Sequence, residues 1–487
     1  MHRVRGANLI GGQWIEPADG ACLCVHDAAT GEIITRVPAI GSAGAKAAVE
    51  AAVHALPSWA ETRLADRADL LRRCAHRLRE QRTRLADIIT AEVGKPLAES
   101  LGEVDYSADY FDSAADETPR LTTQALPNRR HDRAQWVQPE PIGVVAAVTP
   151  WNFPLAMLAR KTAPALAAGC TQVAKPAEET PLSAIALAEI LMEVGLTKGV
   201  INVITGAPEA IVNAWLEDGR VRKLSFTGST EVGRLLMRGA ASNVVRLSLE
   251  LGGHAPFLVF ADADIGVSVD AAILGKFRVA GQTCICPNRF IVHASVADEF
   301  AQRLTVAAQA LPVGVGRTPG VRLGPLISDE AVARVQAQVD DAVAHGGRVL
   351  TGGRTVHVPD CVDRFFAPTV IAGATPSMRC FQEETFGPLA PIASAEDDEA
   401  MIRLANATPF GLAGYAFSAD ASRVAWAAKR LQCGIVGCNT TTVSDAYAPF
   451  GGRGWSGFGR EGGRWGVDEY ISWKYVCEAH SDRTTPR

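Results

Sequence analysis

Cysteine pairs at metal-binding or redox spacing are absent from this sequence. Its eleven cysteines are scattered, without CxxC pairs or a matching histidine spacing. That argues against a zinc site and against a secreted disulfide framework, so a reducing cytoplasm is the expected compartment and no metal is expected. Long apolar runs are also missing. The most apolar long window, Pro141 to Arg160, contains three prolines and Asn152, and reads as a buried strand followed by a structured turn rather than a membrane span. The basic start Met1-His2-Arg3-Val4-Arg5-Gly6 has no apolar run behind it, so no signal peptide is expected. Neither sign of charge dominates: the formal net charge of −5 gives no reason to expect nucleic acid as a partner. Repeats and low-complexity tracts are not evident, and 47% hydrophobic with 21% charged residues is the balance of a globular protein.

What is present is a chain of 487 residues, long enough for two or three domains. Asn8 to about Val37 reads as short strands joined by turns. Ala43 to Ala91 is helical with an interruption at Pro57, and helical signal resumes over Leu97–Ala115 until the polar stretch Glu117–Arg133. From Pro141 to Gly253 short apolar runs alternate with helical periodicity: strands at Gly143–Val148, Thr171–Ala174, Val200–Thr205, Leu224–Thr227 and Val244–Leu251. One intervening helix is expected to open at Thr180-Pro181, with Thr180 as N-cap and Pro181 in the first helical position. Such alternation predicts an α/β fold with a doubly wound parallel sheet of nucleotide-binding type. A second α/β series follows from Arg289–His293 to Leu412–Phe417, and a terminal strand at Glu469–Glu478 could pair with another subunit.

Three segments carry groups suited to covalent acyl chemistry. Gly281-Gln282-Thr283-Cys284-Ile285-Cys286 offers a thiol in a turn of small residues. Leu249-Glu250-Leu251-Gly252-Gly253 puts a carboxylate in an apolar, glycine-terminated segment. Thr149-Pro150-Trp151-Asn152-Phe153-Pro154 supplies an amide between aromatics and prolines. Together these are a nucleophile, a base and an oxyanion donor. Singly, each has an ordinary reading: a small packed thiol, an edge-of-sheet carboxylate, a turn former. Phe226-Thr227-Gly228-Ser229-Thr230-Glu231-Val232-Gly233 turns a strand into a helix, where free N–H groups and the helix dipole favour a pyrophosphate, although it is not a GxGxxG fingerprint. Lys175-Pro176-Ala177-Glu178 follows a strand, where both charged groups can bond ribose hydroxyls and the carboxylate would repel a 2′-phosphate.

In their order and surroundings these motifs resemble the aldehyde dehydrogenase superfamily over nearly the whole chain, most closely its succinate-semialdehyde dehydrogenases. The resemblance implies a dinucleotide-binding domain over 1–118 and 142–252, a catalytic domain over 253–450, and oligomerisation segments at 119–141 and 468–487. It implies Cys284 as nucleophile, Glu250 as the base that activates water, and Asn152 with the Cys284 N–H as oxyanion donors. Trp151, Lys175, Glu178, Gly228, Ser229, Leu251, Glu384 and Phe386 would meet the cofactor, with NAD favoured by Glu178 and NADP admitted. A small-molecule aldehyde and a homodimer or homotetramer follow as partners.

Arg160, Arg278 and Ser444 match positions that hold the distal carboxylate of a four- or five-carbon semialdehyde, since a guanidinium fork fits a carboxylate bidentately. Cys286 falls where some semialdehyde dehydrogenases form a reversible disulfide with the nucleophile; a packed thiol is the other reading. The late loop departs from the pattern, with Gly454 in place of a usual lysine and Trp455 beside it, near the expected active-site mouth. An aliphatic or aromatic aldehyde therefore stays open as substrate. So does a coenzyme A-acylating reaction, against which Glu250 argues.

Overall fold

The computed structural model describes residues 5–17, 21–127 and 133–479. Residues 1–4 of the basic start, 128–132 of the 119–141 segment and 480–487 of the terminal segment lie outside the described residues.

The first sheet has five parallel central strands in the spatial order Arg246–Glu250, Val221–Thr227, Val144–Val148, Thr171–Lys175, Ile201–Val203. Their side chains are buried on both faces over most of their length, which is why they read as short apolar runs rather than alternating ones. The first of the five in the chain, Val144–Val148, lies in the middle. The chain moves outward on one side through Thr171–Lys175 and Ile201–Val203, then returns to the other through Val221–Thr227 and Arg246–Glu250. Loops leaving Val148 and Thr227 therefore diverge, and the crevice between them is where doubly wound sheets bind ligands. Antiparallel strands close the edges: Asn8–Ile10 with Gln13–Ile15 on one side, Gly457–Phe458 on the other.

The second sheet orders Arg348–Thr351, Thr369–Ala372, Leu389–Ala395, Pro287–His293, Ala255–Val259, Ala413–Phe417 and Ile435–Cys438, with every pair parallel except the first. An aromatic core of Phe257, Phe290, Phe300 and Phe417 fills it. A three-stranded antiparallel sheet joins Ile471–Ala479 to Arg133–Pro141 and Gln124–Ala125. Trp473 and Tyr475, two residues apart and so on one face, are exposed there. No helix among the described residues is long and apolar enough to cross a membrane.

Two local expectations fail. Pro57 does not interrupt the first helix. It lies in the last turn of Ser42–Ala60, and the break comes at Glu61–Arg63. Thr180 is not an N-cap: the helix runs Leu182–Glu193, and its first N–H groups go to the carboxylate of Glu92, at 2.8 Å from Leu182 and 3.0 Å from Ser183. A buried carboxylate ninety residues upstream displaces the local cap because it satisfies two orphan donors at once.

Candidate active site

The cysteine loop begins under backbone strain. Val279, Ala280 and Gly281 all have positive φ, at 50°, 52° and 77°. Left-handed backbone is a genuine outlier for a β-branched residue and must be held by its surroundings. Gly281 is required by space as well, since a Cβ there would lie 2.1 Å from the Gly387 carbonyl oxygen. Gln282 is buried and anchors the turn: its amide donates to the Val279 and Pro325 carbonyls, and its side-chain oxygen accepts from the Ile327 N–H. Two residues on, Cys284 faces a cavity of about 430 Å³. Burial pushes its thiol up to about 12; the Arg160 charge pulls the other way.

Asn152 lines the same cavity from the loop after Val144–Val148. Its Nδ2 donates to the Gln282 carbonyl at 2.8 Å, which turns the amide toward the cysteine loop. A carboxamide nitrogen has two hydrogens, so a second donor remains for a substrate oxygen. The helix Pro154–Ala168 starts immediately after, with Pro154 at its first turn and every residue buried.

Glu250 ends the strand Arg246–Glu250 and also lines the cavity; it is 2% exposed and neither carboxylate oxygen has a hydrogen-bond partner among the described residues. Burial raises its carboxyl well above the ordinary range, and the neighbouring Glu461 adds to this while Arg160 and Lys161 oppose it. Glu461 was not singled out from the sequence. It ion-pairs with Arg160 and with Lys161 and accepts from Ser225 Oγ at 3.2 Å. Burial works against its charge, but the two cations outweigh it and hold it below the usual carboxylate range. A charged residue among the glycines of Gly459-Arg460-Glu461-Gly462-Gly463 was the available signal.

The crevice at the sheet's switch point leads into this cavity. Gly228 and Ser229 line it; a Cβ on Gly228 would lie 2.4 Å from the Phe226 ring, and Ser229 caps the helix Thr230–Ala240 through the Val232 N–H. Leu251 and Glu384 line it as well, and Glu384 accepts from the Gly253 N–H at 2.9 Å, with burial raising its carboxyl to about 7. Trp151 meets Phe386 edge-on, ring centroids 5.6 Å apart, with Phe386 at φ 50°. Lys175 and Glu178 are ion-paired to each other at the end of Thr171–Lys175, outside the cavity wall that Glu179 contributes. Arg334, on Asp329–Ala344, enters the wall near Glu384 and has no sequence signal beyond its helix.

The two arginines differ. Arg160 lines the cavity but is compensated by Glu461 and stacked 4.2 Å from the Phe450 ring centroid. Arg278 lies 4.9 Å from the Phe153 ring centroid, and no ion pair to it occurs among the described residues. Ser444 faces the same cavity. Cys286 does not: it is 1% exposed, its thiol packs on the carbonyls of Lys276 and Pro287, and neither it nor Cys284 is in a disulfide. Trp455 is not among the residues lining the cavity: it packs against Phe410 and under Arg234 of the helix Thr230–Ala240, while Phe450 of the same loop forms the cavity wall.

Comparison with known proteins agrees with this geometry. The aldehyde dehydrogenase family profile matches residues 14–476. The NADP(+) succinate-semialdehyde dehydrogenase of Escherichia coli is 45% identical over 469 residues, covering 96% of this chain and 97% of the relative. A glutarate-semialdehyde dehydrogenase of Pseudomonas putida is 44% identical, with 96% of both chains covered. The crystal structure of succinate-semialdehyde dehydrogenase from Burkholderia pseudomallei superimposes with a TM-score of 0.95 at 47% identity, covering 98% of each chain. With a thiol, a carboxylate and an amide around one cavity at the switch point of a dinucleotide-type sheet, this chain belongs to the aldehyde dehydrogenase family.

Proposed function

We propose that this aldehyde dehydrogenase oxidises a four- or five-carbon carboxylated semialdehyde to the dicarboxylic acid with NAD. The observation that carries the substrate class is Arg278: a guanidinium stacked on Phe153, without an ion-pair partner among the described residues, in the wall of the cavity that holds Cys284. The buried Glu99 carboxylate acts on Arg278 through space, and a carboxylate on the substrate would supply a direct ion-pair partner. Ser444 and Arg160 complete the anion site, and the semialdehyde substrates in the names of the relatives above are anions of this kind.

Cys284 attacks the aldehyde carbon to give a thiohemiacetal. The Asn152 amide and the Cys284 N–H stabilise the oxyanion, worth roughly 3–4 kcal/mol per donor in comparable sites. The crevice fits a dinucleotide: Gly228 packs where a Cβ would strike Phe226, Ser229 opens a helix N-terminus there, and Glu384 and Phe386 in the same wall would meet the nicotinamide ribose. A nicotinamide cofactor held there would supply the hydride acceptor that oxidises the thiohemiacetal carbon to the thioester level. Glu250 then takes a proton from water, which hydrolyses the Cys284 thioester. Burial raises the Glu250 carboxyl above the ordinary range, so turnover should rise with pH as it ionises.

Lys175 and Glu178 hold the adenosine ribose, and Glu178 favours NAD over NADP by repelling a 2′-phosphate. Residues 1–118 and 142–252 serve as the dinucleotide domain and 253–450 as the catalytic domain. The exposed ring pair Trp473 and Tyr475 supports assembly of a homodimer or homotetramer through the three-stranded sheet. A reducing cytoplasm suits a free catalytic thiol. The deciding assay is NADH and NADPH formation across semialdehydes, aliphatic aldehydes and aromatic aldehydes. Preference for butanal or benzaldehyde over succinate and glutarate semialdehyde would overturn the substrate class, and a requirement for coenzyme A would overturn hydrolysis by Glu250.

A further inference from the structure

The helix Leu97–Glu117 contributes no group to the proposed chemistry, yet its first turns touch both halves of the oxyanion site. Glu99 and Glu103 are four residues apart and so share one helix face. Glu103 Oε1 accepts from the N–H groups of Leu155 and Ala156 at 2.9 and 3.0 Å, at the start of the helix that follows Asn152. Its other oxygen pairs with the buried Lys95, whose Nζ donates to the Asn152 carbonyl at 2.9 Å and sits 4.0 Å from the Phe153 ring centroid. Glu99 Oε2 accepts from the Val279 N–H at 2.9 Å, at the first of the left-handed residues leading to Cys284. The two loops then meet directly, Asn152 Nδ2 to the Gln282 carbonyl.

We propose that Glu99, Glu103 and Lys95 are positioning residues that hold the Asn152 amide and the Cys284 N–H in one fixed geometry. Glu103 and Lys95 fix the backbone on both sides of the Asn152 side chain; Glu99 holds the strained turn that aims the cysteine loop. A strained backbone persists only where its surroundings over-determine it, and donors to a developing charge act only when they need no reorganisation. Both Lys95 and Glu103 are fully buried in their side chains, so this is a built contact and not a surface pair.

This inference rests on the reading of Asn152 as an oxyanion donor, and a double-mutant cycle separates the two. The readout is single-turnover NADH formation from succinate semialdehyde at saturating NAD, with NAD affinity and melting temperature measured on each variant. Asn152→Ala should slow hydride transfer about 10²- to 10³-fold. Glu103→Gln should slow it about tenfold by displacing the amide, with NAD affinity unchanged. In the Asn152→Ala background, Glu103→Gln should cost less than about twofold, because the donor it positions is gone. Glu99→Gln should also slow transfer about tenfold without changing NAD affinity. Losses from Asn152→Ala and Glu103→Gln that multiply, or a native rate in Glu103→Gln, would overturn the positioning role and leave the oxyanion reading standing. A native rate in Asn152→Ala would remove the oxyanion reading and this inference with it. If Glu103→Gln does not fold, Glu103→Asp keeps the charge opposite Lys95, shortens the reach to Leu155 and Ala156, and runs the same cycle.

Discussion

Replacing Arg278 by methionine tests the substrate class most directly. Methionine keeps an apolar stem against Phe153 and removes only the charge, so packing loss is minimised. In the cavity wall, a guanidinium–carboxylate contact contributes about 1.5–3 kcal/mol, and each 1.4 kcal/mol is a factor of ten. The expected result is a rise in KM for succinate semialdehyde of about ten- to a hundredfold, with kcat close to native. Butanal, which has no carboxylate, should be oxidised at native kcat/KM. Arg160→Met provides the contrast. Arg160 is ion-paired to Glu461 beside Glu250, so its removal leaves a buried carboxylate with Lys161 as its remaining ion-pair partner and withdraws a charge that helps Glu250 ionise. Breaking a buried pair costs about 3–5 kcal/mol, and both substrates should suffer together with the melting temperature, the semialdehyde further through the lost contact to its carboxylate. Steady-state kinetics on the two aldehydes decides the matter. Equal losses on semialdehyde and butanal in Arg278→Met, or no loss on either, would refute the assignment of Arg278 to the carboxylate.

Glu178→Ser should improve kcat/KM for NADP about fivefold or more, the equivalent of roughly 1 kcal/mol of relieved like-charge repulsion near the surface; an unchanged NADP/NAD ratio would remove Glu178 as the discriminator. Because burial holds the Cys284 thiol at about 12, its alkylation by iodoacetamide in the cofactor-free protein should rise about tenfold per pH unit from 7 to 9, followed by peptide mass spectrometry; a plateau below pH 9 would contradict this. Glu92 tests the pH dependence of stability. Burial raises its carboxyl from 4.5 to about 8, so the native state keeps a proton that the unfolded chain loses. Its stabilisation is full below about pH 4.5 and declines as pH rises toward 8. Glu92→Gln should therefore flatten the fall of melting temperature between pH 5 and 8, and parallel slopes in the two proteins would refute it. Gly281→Ala should lower the melting temperature and abolish turnover, since φ of 77° alone costs about 1 kcal/mol for alanine and its Cβ meets the Gly387 carbonyl.

Local pattern carried much of the fold. The strands of the first sheet are short apolar runs because both faces are buried, and helices such as Ala297–Gln309 show one apolar face at helical spacing; both signals are written in consecutive residues. Strands Ala255–Val259, Thr369–Ala372 and Ile435–Cys438 went unread, since four or five residues of buried chain differ little from a helix fragment by periodicity. At the site, Cys284, Asn152 and Glu250 were legible because their residue types stand out in glycine- and proline-rich turns. The contacts among them were not. Glu461 against Arg160, Glu92 capping a helix ninety residues away, and Glu103 bridging Lys95 to the Asn152 helix all join segments distant along the chain. The sequence by itself determined which chemical groups the protein has and which elements present them. Only the tertiary structure decided which arginine has no direct ion-pair partner among the described residues, and that Cys286 faces away from the cavity. Charge compensation and burial depend on what the folded chain brings within a few ångströms, and no local pattern encodes that distance.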